Sequence, residues 1–268
     1  MLRKCLRAFP ISNGMKKLII ANWKMSPTSA HNAKDIFRRV RKTSRELRNV
    51  EMVICPPFVF LSDLGKMVES AKCVIGAQDI FWEDQGSYTG EISAPQLDRL
   101  GARYVILGHS ERRALGETDV IVNKKVKTCL HSGFRAVLCI GEEERDPNGA
   151  YLRFIKEQLT ASLAKIVIKN PKSLVIAYEP VWAISSHHKG ADTPGSALEM
   201  SIYIRKVLSG ILGKRIALEV LVLYGGSVDG VNAEGFLKTG GVQGFLVGRA
   251  SLDPRIFSAI LRTAEKVR

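Results

Sequence analysis

Leu174-Val175-Ile176-Ala177-Tyr178 is followed at once by Glu179-Pro180-Val181-Trp182. The first five residues form an apolar run too short for a helix. They lack the alternation of a half-exposed strand, so they read as a strand buried on both faces, as in a parallel sheet. A carboxylate stands where the strand stops. The same arrangement recurs outward along the chain, at Leu18–Ala21, Met52–Cys55, Cys73–Ala77, Tyr104–Leu107, Ala136–Ile140, Val220–Tyr224 and Gly244–Val247. In almost every unit the unusual polar or glycine-rich residues come just after the apolar run. They are Asn22 and Lys24, Gln78, His109, Glu142, Glu179, Gly225-Gly226-Ser227 and Gly248.

Amphipathic segments lie between the strands. Ala30–Leu47 places Ala33, Phe37, Val40 and Leu47 near one face, and Asn148–Ile166 spaces its Leu and Ile residues by three and four. Ser196–Leu212 and Pro254–Val267 behave alike, and Pro147, Pro194 and Pro254 are placed for a first helical turn. Eight such units in 268 residues imply a single-domain α/β fold, a closed (β/α)8 barrel. Length alone also allows two smaller domains, and an open doubly wound sheet is the main competitor. The polar residues after the strands favour the barrel, where they converge on one face.

The hydrophobic fraction of 46% supplies a large core and argues against disorder. No apolar run is long enough to cross a bilayer, so no membrane partner is expected. The five cysteines (Cys5, Cys55, Cys73, Cys129, Cys139) are odd in number, widely spaced and without a CxxC pair. They read as buried thiols rather than a disulfide framework or a zinc site. Residues 1–14 are basic and lack the apolar stretch of a secretory signal. They are expected to be a flexible extension, or an overlong gene start before Met15, with the barrel occupying 15–268 in the cytoplasm. Residues 1–48 hold thirteen Lys or Arg against Asp35 and Glu46, within a net charge of +14. A solvated helix face and a basic tail account for them. No motif for specific nucleic-acid recognition accompanies them, and a positive field also attracts an anionic substrate.

Several strand-end residues suit acid–base chemistry on a phosphorylated carbonyl compound. Glu179, beside proline and tryptophan, is partly withdrawn from water, which makes a carboxylate a better base. His109 opens a helix whose positive end disfavours imidazolium. A neutral ring can donate a hydrogen bond to a carbonyl and support an enediolate. Lys24 shares its side of the chain with Asn22 and can stabilise a developing oxyanion. The turns after strands seven and eight, Tyr224-Gly225-Gly226-Ser227 and Gly248-Arg249-Ala250-Ser251, suit phosphate binding by backbone N–H groups. Each residue alone is equally well read as an ordinary salt bridge, helix cap, surface lysine or tight turn.

Seven segments together resemble the triosephosphate isomerase family. They are Asn22-Trp23-Lys24-Met25, Gly76-Ala77-Gln78, Tyr88-Thr89-Gly90-Glu91, Gly108-His109-Ser110-Glu111-Arg112-Arg113, Cys139-Ile140-Gly141-Glu142, Tyr178-Glu179-Pro180-Val181-Trp182-Ala183 and Tyr224-Gly225-Gly226-Ser227. They occur in the family's order from about residue 16 onward. The resemblance implies a TIM barrel that interconverts glyceraldehyde 3-phosphate and dihydroxyacetone phosphate in glycolysis and gluconeogenesis. It implies the pairing of base and neutral imidazole already established for that family. Glu179 matches the base, His109 the electrophile, and Asn22 and Lys24 the substrate-binding pair. Ser110, Glu111 and Cys139 match supporting positions; Ser185, Ser227, Gly248 and Arg249 match the phosphate cradle. No cofactor or metal is implied. Residues 79–89 match a loop that enters a second subunit, with Thr89 approaching the partner's site, so a homodimer is implied. Phe81, Trp82 and Tyr88 there are costly to leave exposed.

Two places depart from the family pattern. After Ile184 the lid reads Ser185-Ser186-His187-His188-Lys189-Gly190-Ala191 instead of Gly-Thr-Gly-Lys, and Arg249 replaces a second glycine. Arginine lacks glycine's freedom at positive φ, so either the backbone there is ordinary or the turn is rearranged. Two other readings stand beside the isomerase: a barrel acting on another sugar phosphate, and a phosphate-binding relative whose altered lid marks lost catalysis.

Overall fold

The computed structural model describes residues 16–68, 73–183 and 192–267. The extension 1–14 and the lid residues 185–191, with Ser185, His187 and His188, lie outside the described residues.

Eight parallel strands close into one barrel in chain order. They are β1 (Lys17–Asn22), β2 (Val50–Cys55), β3 (Cys73–Ala77), β4 (Ala102–Leu107), β5 (Arg135–Ile140), β6 (Leu174–Tyr178), β7 (Leu221–Tyr224) and β8 (Gly244–Val247). Pairing of Leu18 with Gly244 through Ala21 with Val247 completes the ring. Gly244 is required at this seam, because a Cβ there would stand 1.8 Å from the Leu18 carbonyl oxygen.

Alternation along each strand sorts the core into two layers. Leu18, Ile20, Val53, Tyr104, Cys139 and Leu246 are among those filling the barrel interior. Ile19, Ala21, Met52, Ile54, Leu138 and Phe245 face the helices. Burial is nearly complete in both layers, which is why the strands read as continuous apolar runs rather than alternating ones.

Outside the barrel lie α1 (Ala30–Glu46), α2 (Phe58–Gly65), α3 (Ala94–Arg99), α4 (Ser110–Ala114) and α5 (Asp119–His131). They continue with α6 (Ala150–Ser162), α7 (Pro194–Leu212), α8 (Lys214–Glu219), α9 (Ala233–Thr239) and α10 (Pro254–Lys266). Pro194 and Pro254 open their helices as expected, behind Thr193 and Asp253, whose side chains accept the first free N–H groups. Pro147 does not. The Asp146 carboxylate accepts N–H bonds from Asn148 and Tyr151, and Gly149 takes φ 76°, so α6 begins only at Ala150. That helix also stops at Ser162 instead of Ile166; the chain turns at Lys165, φ 58°.

Candidate active site

The inward rows of the barrel continue past the strand ends. Leu18 and Ile20 lead to Asn22, Val175 and Ala177 lead to Glu179, and Leu246 leads to Gly248. A two-residue step keeps the same side, so these residues arrive together at the carboxyl-end mouth. They line one cavity of about 720 Å³ with Lys24, His109, Ser227 and Arg249.

At its centre Glu179 Oε1 lies 3.1 Å from His109 Nε2, and both side chains are buried. The other carboxylate oxygen accepts the Ser110 backbone N–H at 3.0 Å, at the start of α4. His109 caps that helix: its Nδ1 accepts the Glu111 N–H at 3.2 Å. An Nδ1 that accepts cannot carry a proton, so this hydrogen bond assigns a neutral ring with its proton on Nε2. The donor therefore points at the carboxylate and into the cavity.

Two glycines let Glu179 sit where it does. A Cβ on Gly141 would stand 1.7 Å from the Glu179 carbonyl oxygen, and one on Gly225 would stand 2.8 Å from its Cγ. Beneath, Cys139 is fully buried against Glu179, and burial first, then the carboxylate, push its thiol well above the ordinary range. That thiol stays protonated and serves as a small packed group.

Lys24 occupies the left-handed region at φ 53°, unusual for a residue with a side chain. Two contacts hold it there. Asn22 Oδ1 accepts its N–H at 3.0 Å, and Gln78 Nε2 donates to its carbonyl at 2.8 Å while also reaching the Cys55 carbonyl. The Lys24 ammonium lies 2.5 Å from Glu111 Oε1. A Cβ on Gly248 would lie 3.5 Å from Lys24 Cε, so the ammonium borders the glycine turn after β8.

At that end of the cavity the chain forms a single helical turn, Arg249–Leu252. The only non-glycine residues at positive φ among those described are Lys24 and Lys165, so Arg249 has ordinary backbone. Its side chain is exposed at the cavity rim. Neither Ser227 nor Arg249 donates its backbone N–H to another group among the described residues. The Ser227 hydroxyl reaches the Ala183 carbonyl at 3.2 Å, where the described part of the lid ends.

Two supporting clusters had no role assigned from the sequence, although Glu142 stands out there as a polar residue at a strand end. Glu142 is buried and gathers Tyr178 Oη (2.7 Å), Trp182 Nε1 (3.0 Å) and Arg145 Nε (3.0 Å), fixing the segment after Glu179. Lys125 is buried between Asp79 and Glu117, with Arg112 2.9 Å from Asp79. Burial pushes the Asp79 carboxyl up, against the pull of Lys125. This cluster joins the loop after β3 to the segment that carries His109. Asp79 comes from the loop after β3, and Arg112, Glu117 and Lys125 from α4, the turn after it and α5, so no short spacing in the chain announces the cluster.

The loop after β3 covers most of its own apolar surface. Phe81 is buried, Trp82 stacks on it at 4.1 Å, and only Tyr88 of the three is exposed, at 45%. The loop packs its own aromatic cluster. Thr89 is exposed on the same loop.

A closed barrel whose mouth joins a carboxylate, a neutral imidazole, an ammonium and backbone N–H groups without a partner among the described residues defines a class: a barrel suited to acid–base chemistry on a small anion. Residues 17–264 match the family model described as triosephosphate isomerase. Relatives named triosephosphate isomerase include that of Aquifex aeolicus, 40% identical over 250 residues, covering 92% of this chain and 99% of that protein. The protein of that name from Dictyoglomus turgidum is 40% identical over 253 residues, covering 92% and 99%. Another, from Dehalococcoides mccartyi, is 39% identical over 257 residues, covering 95% and 100%. The chain belongs to the triosephosphate isomerase family.

Proposed function

We propose that this protein interconverts D-glyceraldehyde 3-phosphate and dihydroxyacetone phosphate, with Glu179 moving the proton. The observation that carries the reading is the contact between Glu179 and the Nε2–H of a neutral His109, at the mouth of one cavity. Family membership supplies the reaction. A substrate carbonyl oxygen takes the Nε2–H in place of the carboxylate. Glu179 then removes the proton from the neighbouring carbon, the carbon–oxygen π bond opens to an enediolate, the hydroxyl proton passes from one oxygen to the other by way of His109 Nε2, and the same carboxylate returns its proton to the other carbon. Lys24 and Asn22 hold the developing oxyanion, and Glu111 holds the ammonium. Ser110 and Cys139 position the base.

The phosphate lies against the N–H groups of Ser227, Gly248 and Arg249, with Ser185 of the lid as a further contact. No metal or other cofactor takes part. A coupled assay on purified protein tests the proposal: turnover of glyceraldehyde 3-phosphate is expected, and none with other sugar phosphates. Absence of turnover rejects it. The Arg249 side chain adds charge beside the phosphate, so Arg249→Ala is expected to raise KM about three- to tenfold with kcat little changed. An unchanged KM rejects a role for the side chain.

The working assembly in this reading is a homodimer in the cytoplasm, joined through residues 79–89, with Thr89 reaching the partner's site. Support comes from exposed apolar side chains around the mouth: Met25, Tyr88 and Leu115 on the first, third and fourth connections, and Val59 in the first turn of α2. Met25→Glu is expected to shift sedimentation at micromolar protein from dimer to monomer. A wild-type monomer under those conditions rejects the assembly.

A further inference from the structure

The far end of the barrel, where the strands begin, carries a different charge from the mouth. Arg48, Lys66, Lys165, Lys169 and Lys172 sit on connections that lead from helix into strand. All five are exposed, and none has an ion-pair partner among the described residues. Among the described residues those connections hold no Asp or Glu of their own; Glu265 of α10 reaches the Arg48 and Asn49 N–H groups, and Glu51 near the start of β2 is matched by Arg135. The closed parallel barrel gathers them at one end, because every strand begins there. The mouth is acidic by contrast, with Asp79, Glu83, Asp84 and Glu91 after β3 and Glu142 to Glu144 after β5. Apart from Lys24 and Arg249, which line the cavity itself, the loops around the mouth carry more acid than base.

One apolar side chain interrupts the basic end. Val167 is 81% exposed between Lys165 and Lys169, and of the exposed large apolar residues described it alone belongs to this end. No exposed aromatic ring accompanies it to stack on a base. Basic groups around a small apolar tip suit a surface of anionic headgroups over hydrocarbon better than they suit a nucleic acid.

We infer that the strand-start end is a docking surface for anionic phospholipid, holding the protein reversibly on a bilayer with its mouth toward solution. The contact is peripheral: no helix among the described residues is long and apolar enough to cross a membrane. Lysines beyond a Debye length are screened, so binding weakens steeply with salt.

The test uses the full chain, sedimented with vesicles of mixed phosphatidylglycerol and phosphatidylcholine, and with phosphatidylcholine alone. Binding to the anionic vesicles at low salt only is expected. Combined Lys165→Glu, Lys169→Glu and Lys172→Glu is expected to lower partitioning on the order of 100-fold, with isomerase turnover unchanged. Equal binding to both vesicle types, or an unaffected variant, overturns the proposal. So does retention on random-sequence duplex DNA without vesicle binding, which assigns the surface to nucleic acid instead. Because turnover is read separately, loss of docking and loss of the proposed activity are distinguishable.

Discussion

Glu179→Asp is expected to lower kcat on the order of 10²–10⁴-fold, with KM within a few-fold of the parent. The substitution keeps a carboxylate and its charge. It withdraws both oxygens by one methylene from a place fixed on three sides. Gly141 and Gly225 leave no room for the main chain to follow, since side chains there would stand 1.7 Å and 2.8 Å from Glu179 atoms. The shortened group loses reach to His109 Nε2 and to the Ser110 N–H. Misplacement of a reacting group by about 1 Å costs on the order of 10²-fold. Phosphate contacts lie elsewhere in the cavity, which is why KM is spared. Steady-state kinetics decide the matter, and a kcat within threefold of the parent removes Glu179 from the proposed role.

Lys125→Met is expected to destabilise the fold by about 3–5 kcal/mol, the scale for removing one partner of a buried ion cluster. The Lys125 side chain is 2% exposed, and its partners Asp79 and Glu117 are 11% and 4% exposed. Methionine fills the volume, so the loss measures stranded charge rather than a void. Arg112 compensates Asp79 in part, while Glu117 keeps only the distant Arg112 guanidinium at 4.0 Å. Adding Asp79→Asn and Glu117→Gln to Lys125→Met is expected to recover much of the stability. Denaturant unfolding measures both variants, and a loss below about 1 kcal/mol for the single change shows the cluster to be solvated.

The barrel was legible because its signals are local. Each strand is a short run of Val, Ile and Leu, and expected and observed bounds coincide at Cys73–Ala77, Leu174–Tyr178 and Gly244–Val247. The start of α6 was misread because a proline ahead of an amphipathic stretch looks the same whether it opens the helix or precedes it. What moved the boundary was the Asp146 carboxylate turning back on two N–H groups. The residues Glu179, His109, Lys24 and Asn22 stood out as polar groups at strand ends, and the structure brings all four to one cavity. Their supports were less visible. Gln78 reaches across to the first loop, Glu142 gathers three partners, and Lys125 balances two loops; each depends on contacts between segments far apart in the chain. That Phe81 and Trp82 cover each other was not legible for a similar reason, since the stacking depends on how the loop folds.

The unequal sign of the two barrel ends has a practical meaning for anyone who immobilises this protein. A cation-exchange bead selects one orientation, lysines down, and leaves every reaction chamber open to flowing substrate. An anion-exchange bead inverts the molecule and chokes it. Activity per adsorbed molecule on the two resins thus reads out the polarity of a single fold.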